Sequence, residues 1–261
     1  MPLMKTALTI AGFDPSGGAG LQQDLKVFHA FGVYGLSAVA ALTAQNSSCV
    51  AAVEAVGSRF LRKQIEVLLR DGVPDATKVG MLLSADNVLV IASMLKTFRL
   101  KNIVLDPVVL SSSGSMLTEA GVPELIRKKI FPYCTIITPN IHEASILSGM
   151  EIATDVDMAK AAIILKGFGP EQVIITGGHR QGSAVDILYD GTFSYLKGRK
   201  VPGEYHGTGC AFSSALASLL ALGFDVPTAA RNAKRFMTRL FRRSFSRGNG
   251  MRLFSFSDYR E

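Results

Sequence analysis

Nowhere in these 261 residues does an apolar run approach the roughly 18 uninterrupted residues that a membrane helix needs. The best candidate, Ala211 to Phe224, contains serines and stops short. No low-complexity tract appears, no internal repeat, and no Pro/Gly/Ser linker long enough to divide the chain. Disordered and fibrous classes are therefore excluded, and one domain spanning 1–261 is expected. Cysteine is scarce: Cys49, Cys134 and Cys210 are odd in number and lack metal-like or redox-like spacing, which points to a reduced, cytoplasmic setting. The four histidines, His29, His142, His179 and His206, show no metal-ligand spacing, so no zinc site is assigned. The N-terminus has one lysine and a short apolar stretch that runs straight into a glycine turn, which reads as a first strand and not a signal peptide.

Charge is sparse too, at 19% against 48% hydrophobic residues, yet the net charge is +7. The excess has one source. Eight basic residues and no acid lie between Arg231 and Arg252, and the rest of the chain carries 20 basic against 21 acidic residues. Ala230, Ala233, Phe236, Met237, Leu240 and Phe241 recur there at three- and four-residue spacing, so the arginines take the other face of a helix. A solvated face explains this better than a phosphate-binding or partner-binding surface, and no nucleic-acid or membrane partner is expected.

What is abundant is alternation. Strands are predicted at Thr6–Ala11, Leu36–Leu42, Val50–Val56, Thr77–Met81, Asn102–Leu105, Thr135–Thr138 and Gln172–Thr176, with a hairpin pair Ala184–Tyr189 and Thr192–Leu196 turning at Asp190-Gly191. Helices are predicted at Leu21–Phe31, Arg59–Asp71, Ala85–Phe98, Glu119–Lys129, Ile141–Leu147, Val156–Gly167, Cys210–Leu222 and Pro227–Phe245. Ser84 and Thr118 read as caps. This rhythm specifies an α/β fold with a mostly parallel central sheet and helices on both faces. Ligands in such folds collect beyond the carboxyl ends of the strands.

Gly12 to Gly20 follows the first strand with four glycines in nine residues, fitting either a ligand loop or a structural tight turn. Neither a dinucleotide fingerprint nor a Walker A loop is present. Gly207-Thr208-Gly209-Cys210 opens an apolar helix, a ready anion site whose field would favour a Cys210 thiolate. A buried packing cysteine is the plainer alternative. Asp106 and Glu143 end two strand-to-loop stretches and are the carboxylates best placed to hold Mg²⁺ through water, or else cap and solvate loops.

These segments resemble the ribokinase-like superfamily and, more narrowly, the hydroxymethylpyrimidine/phosphomethylpyrimidine kinases of thiamine biosynthesis. The resemblance is carried by Thr9–Lys26 (TIAGFDPSGGAGLQQDLK), Ala41–Asn46 (ALTAQN), Lys78–Leu82 (KVGML), Leu105–Val108 (LDPV), Thr138–Ala144 (TPNIHEA), Gly177–His179 (GGH) and His206–Cys210 (HGTGC). It implies a single-domain three-layer sandwich, ATP and Mg²⁺ as cofactors, a small-molecule pyrimidine as substrate, and a homodimer. It implies that Gly12, Asp24, Gln45, Met81 and Val108 meet the pyrimidine, Gln45 donating and accepting at the aminopyrimidine edge. Asn140, Thr176, Gly178 and Thr208 then fall on the nucleotide and phosphate side, and Glu143 and Asp106 on the magnesium side. The resemblance likewise implies that Gly207 and Gly209 form the anion hole and that Cys210 faces the reacting hydroxyl or phosphate. The implied reaction moves the ATP γ-phosphoryl group to 4-amino-5-hydroxymethyl-2-methylpyrimidine and then to its monophosphate.

Two positions depart from the pattern. A lysine usually precedes Gly-Gly-His, where this chain has Thr176, and the usual Gly-His-Gly-Pro ending is replaced by Gly248-Asn249-Gly250-Met251. Pyridoxine or pyridoxal phosphorylation is the nearest alternative activity. Thr176 also motivates a pyrimidine-binding protein with reduced catalysis.

Overall fold

The structure, a computed structural model, describes residues 3–110, 117–178, 184–198 and 201–257. Its strands are β1 (Thr6–Phe13), β2 (Tyr34–Gln45), β3 (Val50–Ala55), β4 (Ala76–Val79), β5 (Ile103–Leu105), β6 (Ile136–Ile137), β7 (Gln172–Ile175), β8 (Ala184–Tyr189), β9 (Phe193–Gly198), β10 (Ser244–Phe245) and β11 (Leu253–Phe254). Its helices are α1 (Gly20–Ala30), α2 (Ser58–Asp71), α3 (Ala85–Phe98), α4 (Val122–Lys129), α5 (Ile141–Ser148), α6 (Asp155–Lys166), α7 (Thr208–Ala221) and α8 (Val226–Arg242).

The first nine strands form one sheet in the order β3-β2-β1-β4-β5-β6-β7-β8-β9. The centre, from β2 to β7, is parallel; β3, β8 and β9 add antiparallel edges. Central strands read as unbroken apolar runs because both faces are covered. Successive side chains divide between two cores: Ile103 and Leu105 face one layer while Val104 faces the other, and Ile137 and Ile136 divide likewise. Leu61 of α2, Ile91 of α3, Ile126 of α4, Leu147 of α5 and Leu165 of α6 fill the first core; Phe28 of α1, Leu216 of α7 and Phe236 of α8 fill the second. Every residue of α7 from Ala211 to Ala221 is buried, which its apolar composition demanded. The expected three-layer α/β sandwich is what forms.

Two boundaries differ in an instructive way. α4 starts at Val122, capped by Gly121 at φ 81°, so Thr118 is not its cap; the Glu119 carboxylate instead accepts from the Ala85 amide that opens α3. The predicted Pro227–Phe245 helix ends at Arg242, because Arg252 binds both the Ser244 carbonyl (2.7 Å) and its hydroxyl (2.9 Å). Ser244–Phe245 then pairs with Leu253–Phe254 as a small antiparallel ribbon. The basic segment is accordingly not wholly a solvated face: Arg252 grips this ribbon, and Lys234 pairs with buried Asp186.

Candidate active site

The carboxyl end of β1 delivers Gly12–Gly20 into the crevice, and Asp14 gives that loop its shape. Asp14 Oδ1 accepts from the Ser16 amide (2.8 Å); Oδ2 accepts from the Gly18 amide (3.1 Å), the Ala19 amide (2.8 Å) and the Ser16 hydroxyl (3.0 Å). His206 Nε2 stands 2.9 Å from the same oxygen. Burial works to raise the Asp14 pKa, but the bonds from His206 and Ser16 outweigh it and hold the carboxyl below its ordinary range. The loop is thereby pinned to the stretch that leads into α7. The fit is tight: a Cβ on Gly207, itself at φ 76°, would strike the Gly18 carbonyl oxygen. Glycine is needed there for both conformation and space.

Beyond Gly207, the amides of Thr208, Gly209 and Cys210 open α7 without intrahelical acceptors. Gly207 caps the helix with no side-chain bond, so these donors face outward at the positive end. Gly209 is exposed and Thr208 partly so. They overlook Asp106 at the end of β5, since a Cβ on Gly209 would lie 3.6 Å from Asp106 Oδ2. An anion seated on these amides would thus sit between a helix dipole and a buried carboxylate.

Cys210 requires a correction. The helix field was expected to favour a thiolate, but burial pushes the thiol up to about 12. Lys78 pulls the other way, and Asp106 and Asp24 reinforce the rise. Cys210 is a thiol at neutral pH, with its hydrogen bond given to Asp106. It remains partly exposed, so it is not simply core filling.

Asp24 requires another. The family resemblance placed it against the pyrimidine, yet it has no exposed surface. Its carboxylate takes Lys78 Nζ at 2.8 Å on both oxygens, the Thr9 hydroxyl at 2.5 Å and the Ser214 hydroxyl at 2.6 Å. Lys78 is equally buried, and Asp24 with Cys210 and Asp106 keeps it firmly protonated against the cost of burial. This ion pair lies beneath the site and sets the field in which Asp106 and Cys210 work.

Asp106 is buried, with Ser213 Oγ at 3.0 Å from Oδ2. Burial raises its pKa, against the pull of Lys78 and Ser213. Glu143 is buried as well. It caps α5 reciprocally with Asn140: the Asn140 amide donates to Glu143 Oε2 (3.0 Å) and the Glu143 amide to Asn140 Oδ1 (3.0 Å). Burial first and Asp106 second push the Glu143 carboxyl up to about 8, although the Asn140 and Val109 amides oppose this. Two buried carboxylates that repel one another beside open helix amides are a donor set that a cation would relieve. Among the described residues no cluster of three or more His, Cys, Asp or Glu could cage a metal by itself. The two carboxylates present fit Mg²⁺, which takes one or two of them and completes its shell with water and phosphate oxygens.

The remaining predicted residues line the same carboxyl edge. A Cβ on Gly12 would lie 3.4 Å from Met81 Sδ, so those two form one surface. Gln45 ends β2 and is partly exposed, as is Val108 after β5. Thr176 follows β7, bridged to Asn140 and donating its amide to the Pro139 carbonyl (3.0 Å). Gly178 is exposed beside it, while His179 lies outside the described residues. The Gly177 amide donates to Asp186 Oδ1 (3.0 Å), and Lys234 of α8 holds the other oxygen at 2.5 Å. Sequence reasoning missed the roles of Asp14, Lys78, Asp186, His206, Ser213 and Ser214. Lys78 alone carried a signal, as the one charged residue inside its strand.

The hydroxymethylpyrimidine/phosphomethylpyrimidine kinase of Synechococcus elongatus is 38% identical over 248 residues, covering 94% of each chain. The thiamine biosynthesis bifunctional protein ThiED of Geobacter sulfurreducens is also 38% identical over 248 residues, and this chain spans only 51% of its length. In three dimensions the ADP complex of Bacillus subtilis pyridoxal kinase superposes with a TM-score of 0.90 at 37% identity, covering 99% of both chains. Residues 14–254, nearly the whole crevice-forming chain, match the phosphomethylpyrimidine kinase family. The ribokinase-like sandwich, the paired glycine loops and these matches make this chain a member of the phosphomethylpyrimidine kinase family.

Proposed function

We propose that this chain transfers the γ-phosphoryl group of ATP to the hydroxymethyl oxygen of 4-amino-5-hydroxymethyl-2-methylpyrimidine, and then a second group to the resulting monophosphate. The observation that carries this reading is the convergence of three features on one crevice: the Gly12–Met81 surface, the open amides of α7, and the Cys210–Asp106 pair. Gln45, Met81, Gly12 and Val108 receive the ring. The amides of Gly207 to Gly209 receive the transferred phosphoryl oxygens, where fixed donors act at low dielectric. Thr208, Asn140, Thr176 and Gly178 lie on the nucleotide side. Asp106 and Glu143 would hold Mg²⁺ through water, and the ion supplies neutralisation of phosphate charge when bound.

In the transfer, the bond from the γ-phosphorus to the bridging oxygen breaks, ADP leaves, and a bond to the hydroxymethyl oxygen forms. The hydroxyl proton passes to Cys210 Sγ as the thiol proton passes to Asp106, whose raised pKa suits it to accept. A free thiolate is not required. Phosphoryl transfer depends mainly on positioning and charge neutralisation, so this proton relay is an assisting step. A homodimer in a reducing compartment accompanies this reading, supported by exposed Phe13 and Leu42 near the crevice and by three unpaired cysteines.

A second reading, pyridoxal phosphorylation, is supported by the close superposition on the Bacillus subtilis pyridoxal kinase. Competition between the two rings under Mg-ATP tests the choice. A ratio of kcat/KM favouring the pyrimidine by about a hundredfold, roughly 2.7 kcal/mol, is the expected outcome. The same ratio favouring pyridoxal would replace the first reading with the second.

A further inference from the structure

Four residues near the C-terminus, Gly250–Leu253, touch three walls of the crevice, although none belongs to the machinery described above. The Met251 amide donates to the Ser47 carbonyl at 3.0 Å, holding the turn between β2 and β3. One residue on, the Arg252 carbonyl accepts from the His206 amide (3.0 Å) and the Arg252 amide donates to the Glu204 carbonyl (2.9 Å), clamping the entry to α7. Leu253 rests on the first glycine loop, where a Cβ on Gly18 would stand 2.6 Å from Leu253 Cδ2.

The approach is closest at Gly250. A Cβ there would press on Ser47 Oγ and stand 2.5 Å from Ser48 Oγ and 2.6 Å from the Ser47 carbonyl carbon. Gly250 does not have a left-handed φ, so glycine serves here for space alone. The turn it meets has little slack. Asn46 Oδ1 accepts from the Ser48 amide (2.8 Å) and the Cys49 amide (3.0 Å), and the Asn46 amide donates to the Cys49 carbonyl (3.0 Å). Such a closed turn moves as a unit, and Gln45, the last residue of β2, moves with it.

We propose that Gly250–Leu253 is a strap that sets the separation between the ring-binding wall at Gln45 and the anion hole at Gly207–Cys210, with Gly250 as a positioning residue for the pyrimidine. The role of Gln45 in this inference rests on the proposed function. The strap's two ends act separately. Crowding at Gly250 displaces the ring-binding wall, while Arg252 continues to hold the α7 entry and Leu253 the first glycine loop.

Gly250→Ala tests it. The KM and calorimetric Kd for the pyrimidine should rise about tenfold, within the hundredfold that a misplacement of about 1 Å can cost, while the KM for ATP stays near wild type. Adding Ser47→Ala and Ser48→Ala removes the two nearest oxygens and should recover part of the loss, a coupling that a general loss of stability does not produce. Gly248→Asn is the control: its Cβ meets nothing within 4 Å, and asparagine tolerates the φ of 70°, so both KM values should be unchanged. Hydrogen exchange at the Ser48 and Cys49 amides should quicken in Gly250→Ala whether or not any ligand binds. Unchanged exchange and unchanged pyrimidine affinity would overturn the proposal, as would equal losses for pyrimidine and ATP that track melting temperature. If the wild-type protein binds no pyrimidine, the functional reading fails, and the strap is judged by the exchange result alone.

Discussion

If burial and two neighbouring carboxylates hold Cys210 as a thiol, its alkylation should be slow and its pH dependence displaced. The rise from an ordinary 9.0 to about 12 is three pH units, so thiolate at neutral pH is about a thousandfold scarcer than in a free cysteine. A more basic thiolate is also a better nucleophile, with a Brønsted slope of about 0.5, which returns roughly thirtyfold. The net expectation is labelling slower by about thirtyfold before any steric shielding is counted. Iodoacetamide labelling followed by peptide mass spectrometry, from about pH 7 to about pH 11, measures this directly. Exposed Cys49 reports that reagent is present and active on the folded chain. The Cys210 rate should still be climbing where a free thiol has levelled off. Asp106→Asn removes one of the carboxylates that raise the thiol, and should speed labelling and shift the profile to lower pH. Labelling of wild-type Cys210 at the rate of a free thiol, with a midpoint near the ordinary 9.0 and a plateau by about pH 11, would overturn the buried-thiol assignment.

Glu143 offers a stability test: its folded pKa of about 8 lies above the ordinary 4.5, so stability from its protonated form is full below 4.5 and is lost as pH rises through 8. Glu143→Gln, which can keep the helix cap, should therefore gain melting temperature over wild type as pH is raised from about 5 to about 8.5, and Mg²⁺ with ATP should narrow the gap; a constant gap contradicts this. Lys78→Met strands a buried Asp24 and should cost about 3–5 kcal/mol in urea unfolding, while adding Asp24→Leu should recover much of it; no recovery would show that the ion pair is not the cause. Thr176→Lys places an ammonium on the proposed nucleotide side and should lower the KM for ATP about tenfold, whereas no change would mean that another cation already serves there.

Most of the sheet was legible because its central strands are buried on both faces, leaving short apolar runs that composition alone exposes. Helices with one apolar stripe were equally plain; α3 has the predicted bounds, Ala85–Phe98. The end of α8 was not, because it depends on a guanidinium eight residues downstream closing on Ser244. The chemistry followed the same division. Glycine loops and the α7 start stand out locally, since turns and helix caps have local signatures. The Lys78–Asp24 pair joins positions 54 apart, and the His206–Asp14 pair joins positions 192 apart. No local pattern encodes such pairs, and for that reason Asp24 could be mistaken for a ligand residue and Cys210 for a ready thiolate. The field of the α7 start was visible in the local sequence, and the placing of Asp24 followed from the resemblance alone, whereas the desolvation that the assembled sheet imposes on both residues was not visible.

Phosphorus NMR on a reaction mixture shows whether this crevice moves phosphoryl groups to a pyrimidine alcohol. Purified protein incubated with ATP, Mg²⁺ and 4-amino-5-hydroxymethyl-2-methylpyrimidine should yield ADP together with a phosphomonoester signal, followed by the diphosphate of the same pyrimidine. Folded protein that leaves ATP and pyrimidine unchanged, beside a working control kinase, would rule out pyrimidine phosphorylation by this chain.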